Sequence, residues 1–194
     1  MDISLSPLLI FVILLSYMIG SISGGVIVGK IKNIDIHKKG SKTAGATNVF
    51  RTMGAFFALL VLIIDVYKGY FATCYLPHLI LGESSTNTIR CLAGFSAIFG
   101  HVFPLYFKFK GGKGVGTALG TMFAFPEFHF PVAIGFLSWV VNLILTGFVG
   151  LGSILAGIIV SITFMLKTNF IFTGLSIYVI FISIFFIITH RENI

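Results

Sequence analysis

The sequence predicts an all-α integral membrane protein: a bundle of seven transmembrane helices, with the N-terminus outside and the C-terminus in the cytoplasm. Three observations carry this. The 194 residues are 57% hydrophobic and 10% charged, with a mean hydropathy of +1.05, too little charge to cover a water-soluble surface. The apolar residues fall in seven stretches, about 4–28, 55–80, 89–107, 115–126, 129–148, 151–167 and 171–189. All but the short fourth approach the roughly 20 residues of a helical crossing. The basic residues then divide unevenly between the two faces that seven crossings define.

The chain reads as one transmembrane domain over 1–194, with no linker, low-complexity tract or internal repeat. Open sheet edges do not survive in hydrocarbon, so the apolar stretches are helices. The opening "MDISLSPLL" lacks a basic n-region and reads as a first span rather than a signal peptide. Loops at 29–54, 108–114 and 149–150 share a face with the C-terminus. That face carries Lys30, Lys32, Lys38, Lys39, Lys42, Arg51, Lys108, Lys110, Lys113 and Arg191. The opposite face holds Lys167, with Arg90 at its edge. The positive-inside rule makes the first face cytoplasmic. The formal charge of +7 thus reflects topology and anionic lipid, and no nucleic-acid partner is expected. Cys74 and Cys91 lie in apolar stretches and read as small buried residues, outside any metal or disulfide pattern.

Polar chemistry concentrates in a few cytoplasmic segments. The first, "KKGSKTAGATNVFR" over 38–51, offers the hydroxyls of Ser41 and Thr47, the Asn48 amide and the Arg51 guanidinium on a glycine-containing backbone. Small donors beside an arginine fork suit a phosphate or carboxylate. Lys38, Lys39 and Lys42 read as solvated topology charges. The second, "KFKGGKGVGTALG" over 108–120, places Gly111, Gly112, Lys113 and Gly114 ahead of a helix start. Glycines let backbone N–H groups converge on an anion, and a helix N-terminus adds its dipole. Gly114 stands where a Walker A loop has Ser or Thr, and no strand precedes it.

His101 stands just before this loop, and His190 and Asn193 lie in the terminal "HRENI" on the same predicted face. His78 and His129 fall toward the outer face and read as structural. Asp65 and Lys68, in "DVYKG", sit inside the second span at a spacing that lets them pair on one helix face. They are expected to form a structural ion pair. Ser153, in the turn "GLGS", is a possible extra donor. No H-E-x-x-H, His/Cys cluster or aspartate-rich motif is present, so neither a metal nor a cofactor is expected. A small transporter for an organic phosphate is the rival reading. It would need inverted halves and polar groups served from both faces at the midplane, whereas only Asp65 and Lys68 lie deep.

Taken together, "GSKTAGATNVFR", "GHVFPLYFKFKGGKGVGTALG" and "HRENI" resemble the three motifs of the bacterial membrane acyl-phosphate:glycerol-3-phosphate acyltransferases, the PlsY family. The resemblance implies a seven-helix, multi-pass enzyme of the bacterial inner membrane, working in phospholipid synthesis. It would transfer a fatty acyl group from acyl phosphate to the 1-position of glycerol 3-phosphate, giving lysophosphatidic acid and phosphate. A soluble acyltransferase that makes the acyl phosphate would be its partner. Carried over by position, motif one supplies Ser41, Thr47, Asn48 and Arg51, motif two His101, the loop glycines and Lys113, and motif three His190 and Asn193. Lys42-Thr43 stands where the family usually has Gly-Asn after the serine, so one amide is missing. Of these residues, Ser41, Arg51, Lys113, His190 and Asn193 are the expected catalytic set. One phosphate is expected on the 111–114 loop with Ser41 and Thr47. The other phosphate, or the attacking hydroxyl, is expected on Arg51, His190 and Asn193. The base is either His190 or a phosphate oxygen of the donor.

Overall fold

Backbone groups in lipid must be satisfied within their own segment, and the chain answers with helices throughout. A computed structural model describes residues 7–191, and every regular element among them is helical. In chain order these are α1 (Pro7–Gly20), α2 (Gly24–Ile31), α3 (Ala46–Met53), α4 (Ala55–Leu81), α5 (Asn87–Val102), α6 (Val115–Phe123), α7 (His129–Thr146), α8 (Val149–Lys167) and α9 (Gly174–His190). Short 3-10 turns lie at Ile36–Lys38, Gly82–Ser84, Leu105–Phe107 and Pro126–Phe128.

Among the described residues, five stretches are long and apolar enough to cross a bilayer: Pro7–Ile31, Ala55–Ser84, Asn87–Phe107, Pro126–Thr146 and Val149–Lys167. Gly174–His190 is a shorter apolar helix. The fourth predicted span is the outlier. α6 has nine residues, about 13 Å of helix against a hydrocarbon core of about 30 Å.

The first predicted span also differs from expectation, because it is broken. The run "GSISGG" at 20–25 interrupts it between α1 and α2. The Ser23 hydroxyl accepts from Val26 N and starts α2. Ser21 Oγ donates back to Tyr17 O (2.8 Å) and accepts from Leu105 N (3.2 Å). Serine side chains thereby replace the helical bonds lost at the break. The predicted cytoplasmic loop 29–54 in turn contains α3, whose Asn48 and Val49 are buried. Gly54 ends α3 at φ 90°, a backbone angle open chiefly to glycine.

Large apolar side chains cover much of the outside, and several polar side chains lie inside. Phe11, Leu14, Ile63, Phe136 and Ile144 are exposed, whereas Ser16, Asp65, Lys68, Thr73, Thr117 and Ser183 are buried. Lipid is as apolar as leucine, so the interior is where small and polar side chains add attraction. The contacts group into two compact units, one ending at Thr121 and the other beginning at Met122. In the first, α1 packs on α4 and α5, α4 on α5, and α2 and α3 on α4. Close approach depends on glycine. A Cβ on Gly20 would overlap Ala97 backbone, and one on Gly100 would overlap Tyr17 O. In the second, α8 packs on both α7 and α9. Phe128 sits 4.7 Å from Phe164 and 6.3 Å from Tyr178, centroid to centroid. The Ser161 and Ser183 hydroxyls bond at 2.7 Å between α8 and α9.

Candidate active site

The first polar segment is shaped by Asn48. Its Oδ1 accepts from Ser41 N (2.8 Å), and the two hydrogens of its Nδ2 are shared among Ile36 O (3.2 Å), Lys39 O (3.0 Å) and Thr43 O (2.9 Å). One amide thus replaces the backbone bonds that an irregular loop cannot make for itself. It is buried, at 1% exposure, and its Nδ2 hydrogens are committed to the loop. Ser41, Thr47 and Arg51 are exposed. Ser41 Oγ lies 2.9 Å from Thr43 Oγ1, and Thr47 and Arg51 stand four residues apart on one face of α3. Thr43 contributes its hydroxyl to that pair. Asn48→Asp keeps the acceptor and loses the Nδ2 donors. The variant is expected to lower stability by about 1–3 kcal/mol, read as a drop in Tm of the purified protein in detergent, with activity falling alongside.

The second segment packs onto the end of α5. Gly112 N donates to His101 O (3.2 Å), and Ala44 N donates to Gly111 O (3.2 Å). The latter bond joins the two polar segments directly. A Cβ on Gly111 would overlap His101 O, and one on Gly112 would overlap His101 Nε2. Gly112 thus packs against the His101 ring, and its N–H already has a backbone acceptor in His101 O. Lys113 is half-buried, and Gly114 is buried at φ 87° immediately before α6. The first helical bond on this side runs from Ala118 N to Gly114 O, so the N–H groups of the first turn of α6 point toward the loop.

Beneath the loop lies a polar cluster in the apolar interior. Asp65, Lys68 and His101 are 3%, 4% and 4% exposed. Lys68 Nζ pairs with Asp65 Oδ1 at 2.9 Å, as the sequence leads one to expect. It also donates to Ile22 O (2.5 Å), a carbonyl at the α1–α2 break, and lies 2.9 Å from His101 Nδ1. His101 Nδ1 is 3.4 Å from Asp65 Oδ1. The helix break and the coupling of His101 to Lys68 are features that motif reading missed. The small-residue run "GSISGG" inside an apolar span was their only trace in the sequence.

Ser153 and His190 belong to the second unit. Ser153 is buried and donates to Val149 O (3.0 Å), which leaves its oxygen as an acceptor. His190 is buried at the end of α9, with Nδ1 2.9 Å from Phe186 O and 3.3 Å from Thr189 Oγ1. A carbonyl only accepts, so Nδ1 carries the hydrogen and a neutral ring keeps its lone pair on Nε2. Asn193 lies outside the described residues. Among the described residues, no three His, Cys, Asp or Glu side chains are grouped to hold a metal ion.

The family model "Glycerol-3-phosphate acyltransferase" matches residues 10–194. Glycerol-3-phosphate acyltransferase 2 of Bacillus anthracis is 43% identical over 187 residues, covering 95% of this chain and 93% of its own. Glycerol-3-phosphate acyltransferase of Bacillus subtilis (strain 168) is 42% identical over 190 residues, covering 96% and 92%. The fold is similar to crystal structures of PlsY (YgiH), an integral membrane glycerol 3-phosphate acyltransferase. These were solved in a glycerol 3-phosphate form (TM-score 0.83) and a lysophosphatidic acid form (TM-score 0.82). Each is 31% identical, and each match covers 95% of this chain and 89% of that one. With its motifs, its helical membrane fold and these matches in agreement, the chain belongs to the PlsY-type glycerol-3-phosphate acyltransferase family.

Proposed function

We propose that this chain transfers a fatty acyl group from acyl phosphate to the 1-position of glycerol 3-phosphate, releasing lysophosphatidic acid and phosphate. The hydroxyl oxygen attacks the acyl carbonyl carbon, the bond from that carbon to the phosphate oxygen breaks, and inorganic phosphate leaves. The proton goes to His190 Nε2 or to a phosphate oxygen of the donor. Because the donor is already activated, the protein needs mainly to hold two phosphates and align the reacting atoms.

The observation that carries this reading is the bond from Ala44 N to Gly111 O, which brings two anion-suited segments together. Glycerol 3-phosphate and lysophosphatidic acid, the ligand forms of the related PlsY structures, fit as substrate and product. Lys113, Gly111, Gly114 and the start of α6, with Ser41 and Thr47, would hold one phosphate. Arg51, His190 and Asn193 would hold the other or orient the hydroxyl. Asn48 and Gly112 hold these segments in shape beside the substrate, and Ser153 would be a further hydrogen-bonding group.

The proposed topology has seven crossings in a bacterial inner membrane, N-terminus outside and C-terminus cytoplasmic, with α6 and its flanking backbone forming the fourth. Loops after the first and third crossings must then share a face, which the Ala44–Gly111 bond supports. Their lysines make that face cytoplasmic. It is also the face a soluble acyl-phosphate-producing acyltransferase would meet. Purified protein in detergent, given acyl phosphate and labelled glycerol 3-phosphate, should form labelled lysophosphatidic acid without any sealed compartment. Uptake by proteoliposomes with no product would instead mean a transporter. Cysteines placed at 42 and 110 should label from the cytoplasmic side and one at 84 from outside; opposite faces for 42 and 110 would end the shared-site reading.

A further inference from the structure

We infer that Asp65 and Lys68 are positioning residues for acyl transfer, because Lys68 holds the His101 proton on Nε2, the ring edge that faces the 111–114 loop. The inference rests on the reading of that loop as a phosphate cradle. A buried ion pair adds little stability over apolar side chains of similar size, so stability alone does not account for one in a lipid-embedded interior. The pair's geometry goes beyond a pair. The Lys68 ammonium has three N–H bonds and no lone pair. Around Nζ stand Asp65 Oδ1 at 2.9 Å, Ile22 O at 2.5 Å and His101 Nδ1 at 2.9 Å. An ammonium only donates, so the 2.9 Å contact directs a Lys68 N–H at His101 Nδ1, while Asp65 Oδ1 is held by the ion pair rather than by a hydrogen bond.

An imidazole nitrogen that receives a hydrogen bond contributes its lone pair, and the neutral ring then carries hydrogen on the other nitrogen. The competing arrangement, Nδ1–H donating to Asp65, has the longer separation of 3.4 Å. His101 Nε2 lies where a Gly112 side chain would be. A phosphate oxygen there accepts from an Nε2–H and is repelled by an Nε2 lone pair. The ammonium beneath the histidine thus sets the sign of the contact that the ring offers its ligand. Asp65 and the open carbonyl of Ile22 hold the ammonium in place.

The test reads the tautomer directly. Long-range proton–nitrogen correlation on full-length protein with nitrogen-15-labelled histidine, in detergent, gives both ring nitrogens of His101, assigned by their loss in His101→Gln. Hydrogen on Nε2, with a resonance that moves when inorganic phosphate or glycerol 3-phosphate is added, is the expected result. Hydrogen on Nδ1, or an Nε2 indifferent to both anions, would overturn the inference. Lys68→Met removes the donor and leaves Asp65 as the partner of Nδ1, so the proton should move to Nδ1. KM for one of the two phosphate substrates should then rise at least tenfold in folded protein. Adding Asp65→Asn supplies an amide donor to Nδ1, which should return the proton to Nε2 and recover most of KM. A merely structural pair would shift Tm in these variants and leave the tautomer and both KM values unchanged. Should the single variant fail to fold, the wild-type tautomer and the double variant still decide. An active enzyme with hydrogen on Nδ1 sinks only this inference. A protein with the expected tautomer and no acyl transfer sinks the proposed function instead.

Discussion

Lys113→Ala should reduce acyl transfer by about a hundredfold or more while the protein still inserts and purifies, and Lys110→Ala should keep most of the activity. The two lysines are three residues apart in one loop, and a reading based on topology alone treats them alike. Their settings differ. Lys113 is half-buried between Gly112 and Gly114, ahead of the N–H groups that open α6, whereas Lys110 is exposed. A charge-assisted contact to developing charge in a water-poor site contributes about 3 kcal/mol, on the order of a hundredfold in rate. An isolated surface charge contributes well under about 1 kcal/mol. Steady-state rates of both purified variants against both substrates check this. Equal, mild losses would mean the loop is only a basic hairpin holding the chain's orientation.

Gly112→Ala is expected to cost nearly as much, though it removes no polar group. The added Cβ would overlap His101 Nε2 and come within 2.9 Å of the ring's Cε1. The ring has little room to yield, because it is buried with Lys68 beside Nδ1 and Gly112 N bonded to its own carbonyl. Relieving the overlap must move the loop or the ring, and a displacement of about 1 Å in a site of this kind can cost on the order of a hundredfold. Overpacking itself destabilises by about 1–3 kcal/mol, which Tm would register. Gly45→Ala is the matched control. No atom lies within 4 Å of the Cβ position at Gly45, and its φ of −93° suits any residue, so activity should survive. Comparable losses in both variants would remove the specific role given to the His101–Gly112 contact.

Much of this protein is legible in its sequence because hydrocarbon imposes few solutions. The predicted spans 55–80 and 151–167 fall within a residue or two of α4 and α8. In such segments length and apolarity alone satisfy the backbone. The motif residues were visible for a related reason, since polar side chains and glycines are conspicuous in an apolar chain. The Asp65–Lys68 pair followed from helical spacing, a local property.

What the sequence left open depends on contacts between distant residues. Nothing in "GHVF" says that His101 meets Lys68, because that contact requires α5 to lie against α4 and α1 to break at Ser21–Ser23. Asn48 looked like a ligand from its type and neighbours, yet its bonds to Ile36, Lys39, Ser41 and Thr43 exist only once the loop closes around it. Nothing local to Gly112 says that its N–H meets His101 O. A residue's type determines which bonds it can make, and here that was enough to identify an all-helical membrane fold and its polar motifs. Which bonds are already taken is decided by packing, because each donor has a fixed number of hydrogens to give and the folded chain often claims them first.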